Sequence, residues 1–371
     1  MNLRFTQTVS DSKKIPTISE KVNTRGGYVE YGDDNRFPNY ILELYKESPL
    51  FSAVISTLTD FIFGDGIIIN DKPNNVCNRK YETIEEVIKK AIFDFSLFNG
   101  FALQIIRNGF GDIVEVNHIN FEYLRINEDG TEVYYNDWGN TKNKKQMIKY
   151  ERFNPHLKQP NSILYYRSNN TRTAYPLPSY IGALKALEIS TQIGNFHLNQ
   201  ILNNFTPQLL VNFNNGIIPE TEMEEIEQAF NEKFQGTNNS GRIVFSFNND
   251  SEHATTLERI ADDGFDTKYQ ALKQQVENDI FVAFRVNPIL IGVNNSNSGF
   301  TKQEFSEAFT LFQRTVIQPT QQQLKRVLEQ IFDKVEIKPF SIDWGEQHES
   351  GNIPNQEQTE ENKLINIGDN N

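Results

Sequence analysis

The chain has 371 residues, 37% apolar and 12% aromatic, which allows two or three domains and a sizeable core. Its formal net charge of −13 argues against tight nucleic-acid binding by phosphate neutralisation, though it leaves passing contact with DNA open. One cysteine excludes a disulfide framework within the chain, no run is long enough to span a bilayer, and the polar start at residues 1–14 has no signal-type apolar core, so a cytosol-like compartment is expected.

Residues 1–36 are polar and weakly patterned and read as a mobile arm. An α+β unit is predicted over 37–175. Ser48-Pro49 has the form of a helix start, with Ser48 as N-cap and Leu50, Val54, Leu58, Phe61 and Ile62 at helical spacing behind it. Gly64 stops that helix, and Gly66–Ile69 reads as a short buried strand. A second helix is predicted from about Thr83, with Glu85 and Glu86 at its positive end and Gly100 at its close. Strand-like runs follow at 101–107, 113–117, 123–126, 133–135 and 148–153, separated by the turn signals Asn108-Gly109, Asp129-Gly130 and Gly139-Asn140. Cys77 lies in a polar stretch and reads as a surface or loop thiol.

Pro176 and Pro178 then punctuate the chain, and a helix is predicted over 179–205, roughly 40 Å of rod at 1.5 Å per residue. Lys185 and Glu188 are its Lys, Arg, Asp or Glu residues; other polar positions hold Gln, Asn, Ser and Thr. A solvent-bathed helix usually carries more charge, so this rod is expected to pack against copies of itself. A small α/β insert covers 207–264, with strands at 209–213, 242–247 and 255–260, a short helix from Pro219 and a turn at 238–241. A second rod runs over 266–285, broken by Asn287-Pro288. The stretch Asn294, Asn295, Ser296, Asn297, Ser298, Gly299 is a loop by composition. Thr301 and Glu304 form a capping box that opens the last long helix. Phe305, Phe309, Phe312 and Val316 make its first apolar stripe, and Leu324, Val327, Leu328 and Ile331 its second; these read as core. Pro319 lies between them and should kink the helix, a plain helix–helix junction being the alternative. Residues 335–344 read as a closing strand, and 346–371, with six acids and one lysine, has the composition of a disordered acidic tail.

No catalytic signature stands out. There is no P-loop, no G-x-S-x-G, no CxxC and no metal-spaced set among His118, His156, His197, His253 and His348. Glu252-His253 is the nearest acid–histidine pair, but adjacent side chains on an extended segment point apart. No enzyme activity, metal or cofactor is therefore expected.

The order rod, insert, rod, polar loop, kinked rod resembles the portal proteins of tailed bacteriophages. The stretches that carry the likeness are LNQILNNFTPQLL (198–210), FQGTNNSGRIVF (234–245), FVAFRVNPILIG (281–292) and residues 301–331, with YGDDNRFPNYILELY…FIFGDG (31–66) similar to the family's opening. The resemblance implies a portal-like α+β fold: a wing over 37–175, a two-helix stem at 176–206 and 265–286, a clip at 207–264, a tunnel loop at 287–300, and a long kinked helix with closing strand at 301–345. It also implies a ring of typically twelve copies at one capsid vertex. That ring would carry double-stranded DNA through its channel and dock the terminase large subunit, major capsid and scaffold proteins and a head–tail adaptor, with no membrane. In that frame Asn294–Gly299 line the channel as an uncharged collar, and Lys185, Lys268 and Lys273 are candidate lumen charges, with solvated or inter-subunit ion pairs as their alternative. The chain departs from larger relatives in having no helical crown after Trp344. Another virion protein, such as an adaptor or minor head protein, or a soluble enzyme, are the competing readings.

Overall fold

The computed structural model describes residues 16, 19–70, 72–73, 75–139, 147–168, 174–202, 209–213, 219, 221, 243–247, 265–293 and 301–342. Most of these form an α+β body. It opens with a hairpin of β1 (Glu20–Asn23) and β2 (Tyr28–Tyr31), paired in register Glu20↔Tyr31 to Asn23↔Tyr28. The expected mobile arm thus gives way at residue 20 to ordered pairing. Tyr31 is fully buried, stacked 4.1 Å from Tyr175, and its hydroxyl donates to Pro176 O at 2.6 Å. Polar composition hid this, because the hairpin is held by contacts some 145 residues away along the chain.

Helix α1 (Phe37–Glu47) was not foreseen from sequence, though Phe37, Tyr40, Ile41 and Leu44 make a helical face and all are buried. Helix α2 (Pro49–Phe63) begins as expected: Ser48 Oγ accepts from Phe51 N at 3.3 Å and Pro49 takes the first position. Helix α3 (Ile84–Phe98) carries a capping box between Thr83 and Glu86. It ends at Asn99, in the left-handed conformation at φ 58°, and not at Gly100, which opens the next strand. Asparagine tolerates that conformation almost as glycine does, so the helix stops one residue early.

The body's main sheet has the order β6-β5-β10-β9-β8-β7. Its strands are β5 (Gly100–Arg107), β6 (Ile113–His118), β7 (Leu124–Ile126), β8 (Glu132–Tyr135), β9 (Ile148–Arg152) and β10 (Asn161–Arg167). Strand β10 was not predicted, yet it is internal, antiparallel to β5 and parallel to β9. Its apolar centre, Ile163 to Tyr165, is buried through pairing with a strand sixty residues earlier, which local pattern cannot reveal. A smaller sheet sets β3 (Ile67–Ile69) between β4 (Lys72–Pro73) and β13 (Val335–Ile337). The predicted closing strand is therefore short, and Trp344 lies outside the described residues.

Two long helices, α4 (Leu184–Leu202) and α5 (Phe265–Phe284), pack on each other. The 3-10 turn Ile181–Ala183 precedes α4, so the helix proper starts later than expected. Between them β11 (Leu209–Phe213) pairs in parallel with β12 (Ile243–Phe247). The expected strand at 255–260, the Glu252-His253 pair and the turn at 238–241 lie outside the described residues, as does most of the helix expected from Pro219.

The last long helix comprises α6 (Lys302–Phe312), a π-helical stretch Gln313–Ile317, and α7 (Gln318–Leu328). Thr301 and Glu304 form the capping box. Pro319 stands second in α7, directly behind the π turn. A proline offers no N–H and crowds the carbonyl four residues back; the irregular turn sits where that conflict falls, and the helix is widened there without a break. Phe312, Val316, Leu324, Val327 and Leu328 are buried, as core.

Gly64 joins these layers. It sits at φ 67°, ψ −149°, and a Cβ there would meet Lys338 O at 1.9 Å. That carbonyl accepts from Asp65 N at 3.2 Å, so the chain returning from α7 lies directly on the end of α2. Gly64→Ala is expected to cost about 2–4 kcal/mol, from backbone strain plus steric displacement of the backbone at Lys338 and Phe340, just past β13. Urea denaturation of the two proteins measures it.

Candidate functional site

Three aromatic rings fix where the long helices leave the body. Tyr180 and Phe284 stack with centroids 4.5 Å apart, and Phe51 of α2 meets them at 5.1 Å and 5.8 Å. The Tyr180 hydroxyl, fully buried, donates to Leu97 O at 2.6 Å. Leu97 lies in the last turn of α3, whose carbonyls have no helical partner, so the phenol completes that helix end. Burial drives the Tyr180 phenol pKa well above its usual value. Tyr180 precedes α4 and Phe284 ends α5, so both helices meet the body at one point.

The two helices run antiparallel from this hub. Lys185, Ala186 and Ile189 share a groove with Leu272, Val276 and Asp279, and farther out Tyr269 O–H lies 2.5 Å from His197 Nε2. At about 1.5 Å per residue, the pair extends roughly 28 Å. The excursion carrying β11 and β12 departs from the end remote from the hub. On the side facing the body, Glu188 Oε2 accepts from Tyr40 O–H at 3.2 Å and Ser190 Oγ lies 3.3 Å from Ser48 Oγ.

The sequence-predicted residues fall around this frame. Asn294, Asn295, Ser296, Asn297, Ser298 and Gly299 lie outside the described residues, but their anchors do not. Pro288–Ile291 forms a 3-10 turn capped by Asn287, whose side chain accepts from Ile289 N at 3.1 Å; Leu290 is buried; Gly292 follows at φ 76°. On the other side Thr301 is fixed by its capping box. The expected break at Asn287-Pro288 is prepared at Arg285, at φ 56°. Lys185 is exposed on α4 and lines the groove between the helices. Lys268 lies in the first turns of α5. Lys273 Nζ stands 4.0 Å from Glu277 Oε1 one turn on, an exposed pair of little energetic weight. Lys185 and Lys273 lie on different helices, and no contact joins them among the described residues.

Sequence reading missed the groove. It has a volume of ≈ 340 Å³ and is floored by Gly182, Ala183 and Ala186 of the α4 entry and Ala283 of α5. The signal was present in Gly182-Ala-Leu-Lys-Ala186, small residues four apart on one helix face. Also missed was Arg125, fully buried and, among the described residues, without a carboxylate partner. It donates to Asn35 Oδ1 (2.5 Å), Asn35 O (2.6 Å), Leu124 O (2.7 Å) and Glu122 O (3.1 Å), with the Trp138 ring 5.0 Å away.

The buried titratable groups serve packing. Asp94 Oδ2 takes a hydrogen bond from His118 Nε2 at 2.8 Å and from Phe121 N at 3.1 Å, tying α3 to β6. Burial raises the Asp94 carboxyl pKa more than these partners lower it. Among the described residues no three His, Cys, Asp or Glu side chains gather as a metal site, and no helix is long and apolar enough to cross a membrane. Cys77, half-buried, contacts Glu82 O and Val116 O at 3.4 Å each, and burial raises its thiol pKa to about 11.

A family model for phage portal proteins matches residues 68–339. The chain belongs to the phage portal protein family. The matched span runs from within β3 to just past β13 and takes in the main sheet, both long helices and Tyr180 and Phe284 of the hub; the β1–β2 hairpin and Phe51 precede it. Among solved structures, the neck of the native GTA particle computed with C12 symmetry aligns at TM-score 0.53 and 15% identity, over 83% of this chain and 86% of that one. The virion of the native gene transfer agent particle aligns at TM-score 0.52 and 16% identity, over 81% and 83%. At such identities the likeness is one of fold, and the shared fold is α+β. A curated but uncharacterised protein of Rickettsia bellii (strain RML369-C) is 26% identical over 149 residues, 40% of this chain; the match spans 37% of that relative's length.

The hub of this portal-family chain is open to direct test. Phe284→Ala is expected to cost about 3–5 kcal/mol, and Tyr180→Phe about 1–3 kcal/mol by leaving the Leu97 carbonyl unpaired. Both should speed amide exchange in α4 and α5 more than in β5 and β10. For Cys77, a thiol pKa of about 11 keeps the thiolate scarce at neutral pH. Alkylation in the native protein should be slow at pH 8 relative to the urea-unfolded chain, and should climb about tenfold per pH unit up to about pH 11.

Proposed function

We propose that this chain is one wedge of a closed ring at a capsid vertex, a channel for packaging and ejecting double-stranded DNA. The observation that carries the reading is the pairing of α4 and α5 on one aromatic hub, with the β11–β12 excursion at the far end. Two rods clamped at one end, with a small module inserted in the chain between their far ends, make the shape of a spoke in a collar. A pocket-bearing enzyme has no need of it. Portal-family membership over residues 68–339 and fold likeness to a neck of C12 symmetry support the same reading.

In this assignment the α+β body over 37–175 with residues 301–345 is the wing. The segments 176–206 and 265–286 are the stem, 207–264 is the clip, and 287–300 is the tunnel loop. The ring has twelve copies and resides in the virion, after assembly in the host cytoplasm. Its clip receives the terminase large subunit and later the head–tail adaptor, and its wing meets capsid and scaffold proteins. The chain acts by holding a passage open and performs no chemistry itself.

The charge pattern suits a channel. Each Lys or Arg against phosphate adds affinity through counterion release, and so adds drag on a moving duplex. A loop of Asn, Ser and Gly at 294–299 offers only exchangeable hydrogen bonds, and a chain of net charge −13 gives the ring a field that repels a polyanion. Lys185, Lys268 and Lys273 are the candidate damping contacts; Lys273 is the weakest of them, given its Glu277 neighbour.

Mass photometry of the purified chain, alone and with scaffold protein, should show a ring-sized particle; a monomer under every condition removes the reading. Deleting 294–299 should leave the ring intact while DNA packaging or retention falls by at least tenfold. Unchanged packaging would show that the loop is not at the channel.

A further inference from the structure

Among the described residues, no side chain fills the groove between α4 and α5. Gly182 on its floor has φ in the ordinary range, and a Cβ built there meets nothing within 4 Å. Nothing in the subunit's own packing therefore calls for glycine at that position. The rims carry Ile189, Leu272 and Val282, all exposed, Val282 to 76%. Lys185 and Asp279 stand in the same groove, one from each helix, and neither forms an ion pair among the described residues.

A ring of more than two copies needs a heterologous interface, in which one face of the subunit meets a different face of its neighbour. A face that receives must be matched elsewhere by a face that inserts. On α6, Leu311 is 66% exposed, although the neighbouring Phe312 is buried in the core. Glu307 lies one α-helical turn before Leu311, and Arg314 lies three residues after it, at the start of the π-helical stretch; both are exposed. Arg314 also lacks an ion pair among the described residues. One apolar knob between an acid and a base thus matches one apolar groove holding a base and an acid.

We propose that the α4–α5 groove of one subunit receives the Leu311 face of α6 from the adjacent subunit, with Glu307 meeting Lys185 and Arg314 meeting Asp279. The proposal rests on the ring reading above and specifies which surfaces form its seam. It assigns Lys185 to the subunit boundary and not to the lumen. The small residues at 182, 183 and 186 let the incoming helix approach closely. The charges fix its direction, since a reversed helix would set Glu307 against Asp279 and Arg314 against Lys185.

The test uses the full-length chain with Cys77→Ser, carrying Ile189→Cys and Leu311→Cys together or singly, joined by a short bismaleimide. The wild-type chain is first shown to form rings by mass photometry. The paired variant should then give a ladder of linked subunits on denaturing gels, and each single variant should give monomer. Dimers from Leu311→Cys alone would mean that the knob meets its own copy, which overturns the proposal. Rings with no ladder overturn it while leaving the portal reading intact; absence of wild-type rings takes down both. A charge exchange gives an independent readout. Lys185→Glu and Glu307→Lys should each lower ring yield about tenfold, and the double variant should restore it. All these positions are exposed, so circular dichroism should be unchanged. Single losses without restoration would show that the two residues do not face each other.

Discussion

The stacked pair Tyr180 and Phe284 is the contact on which the long helices depend. Helices of 19 and 20 residues, with unremarkable propensity and few ion pairs, gain most of their stability from packing. Phe51 completes the cluster from α2, and the Tyr180 hydroxyl completes the end of α3. One residue thus joins the first helix layer, the second helix layer and the root of the helix pair. The segment before it is held along its length: Tyr175 N donates to Glu20 Oε1 at 2.9 Å, and Leu177 O accepts from Asn99 Nδ2 at 3.0 Å. The helix pair is consequently mounted on a connector with few free bonds, and any load on its far end is passed to the body.

The body achieves this stiffness by closing both chain ends onto its middle. At the start, Asn35, at φ 59°, turns the chain so that its side chain accepts from Tyr31 N and Arg125 Nε together. The Arg125 guanidinium gives its protons to neutral oxygens and lies near the Trp138 and Tyr31 rings. Burial lowers its pKa, yet four hydrogen bonds and two ring faces offset much of the loss of water. At the other end, Phe61 meets Phe309, Phe312 and Phe340, while β13 pairs with β3. The first of these segments is thereby locked to β7, and the second to α2 and β3.

What sequence shows and what it hides follow from interaction range. The start of α2 at Ser48-Pro49, the Thr83 and Thr301 capping boxes and the stop at Gly64 are local chemistry, legible from a few neighbouring residues. Strand β10 was invisible because its identity depends on β5. The hairpin at 20–31 was taken for a loose arm because its apolar content is small and its anchors, Tyr175 and Pro176, are remote. The groove was hidden for another reason. Gly182, Ala183 and Ala186 are visible in the sequence as small residues, but only the fold shows that no side chain among the described residues fills the space above them. Pro319 shows an intermediate case: the sequence located the irregularity, and the structure determined its form, a π turn in place of a broken helix.

The charge on the helix pair extends this reasoning to assembly. Subunits of net charge −13 repel one another, so a ring of them needs seams that add no further like-charge contact. Helix α4 meets that condition. Of its Lys, Arg, Asp and Glu residues, Glu188 is engaged by the Tyr40 hydroxyl and by Gln192 within the subunit. Lys185 is left as the one such charge available to a neighbour, and it is positive. A cation on an otherwise neutral face attracts an acidic neighbour whatever the neighbour's global charge, because at contact distance the local partner outweighs distant, screened charges. On the proposed seam, the low charge density that the sequence shows is a neutral face bearing a single locating charge, Lys185. That combination suits an interface repeated around a ring, where one mispaired contact would be multiplied by the number of subunits.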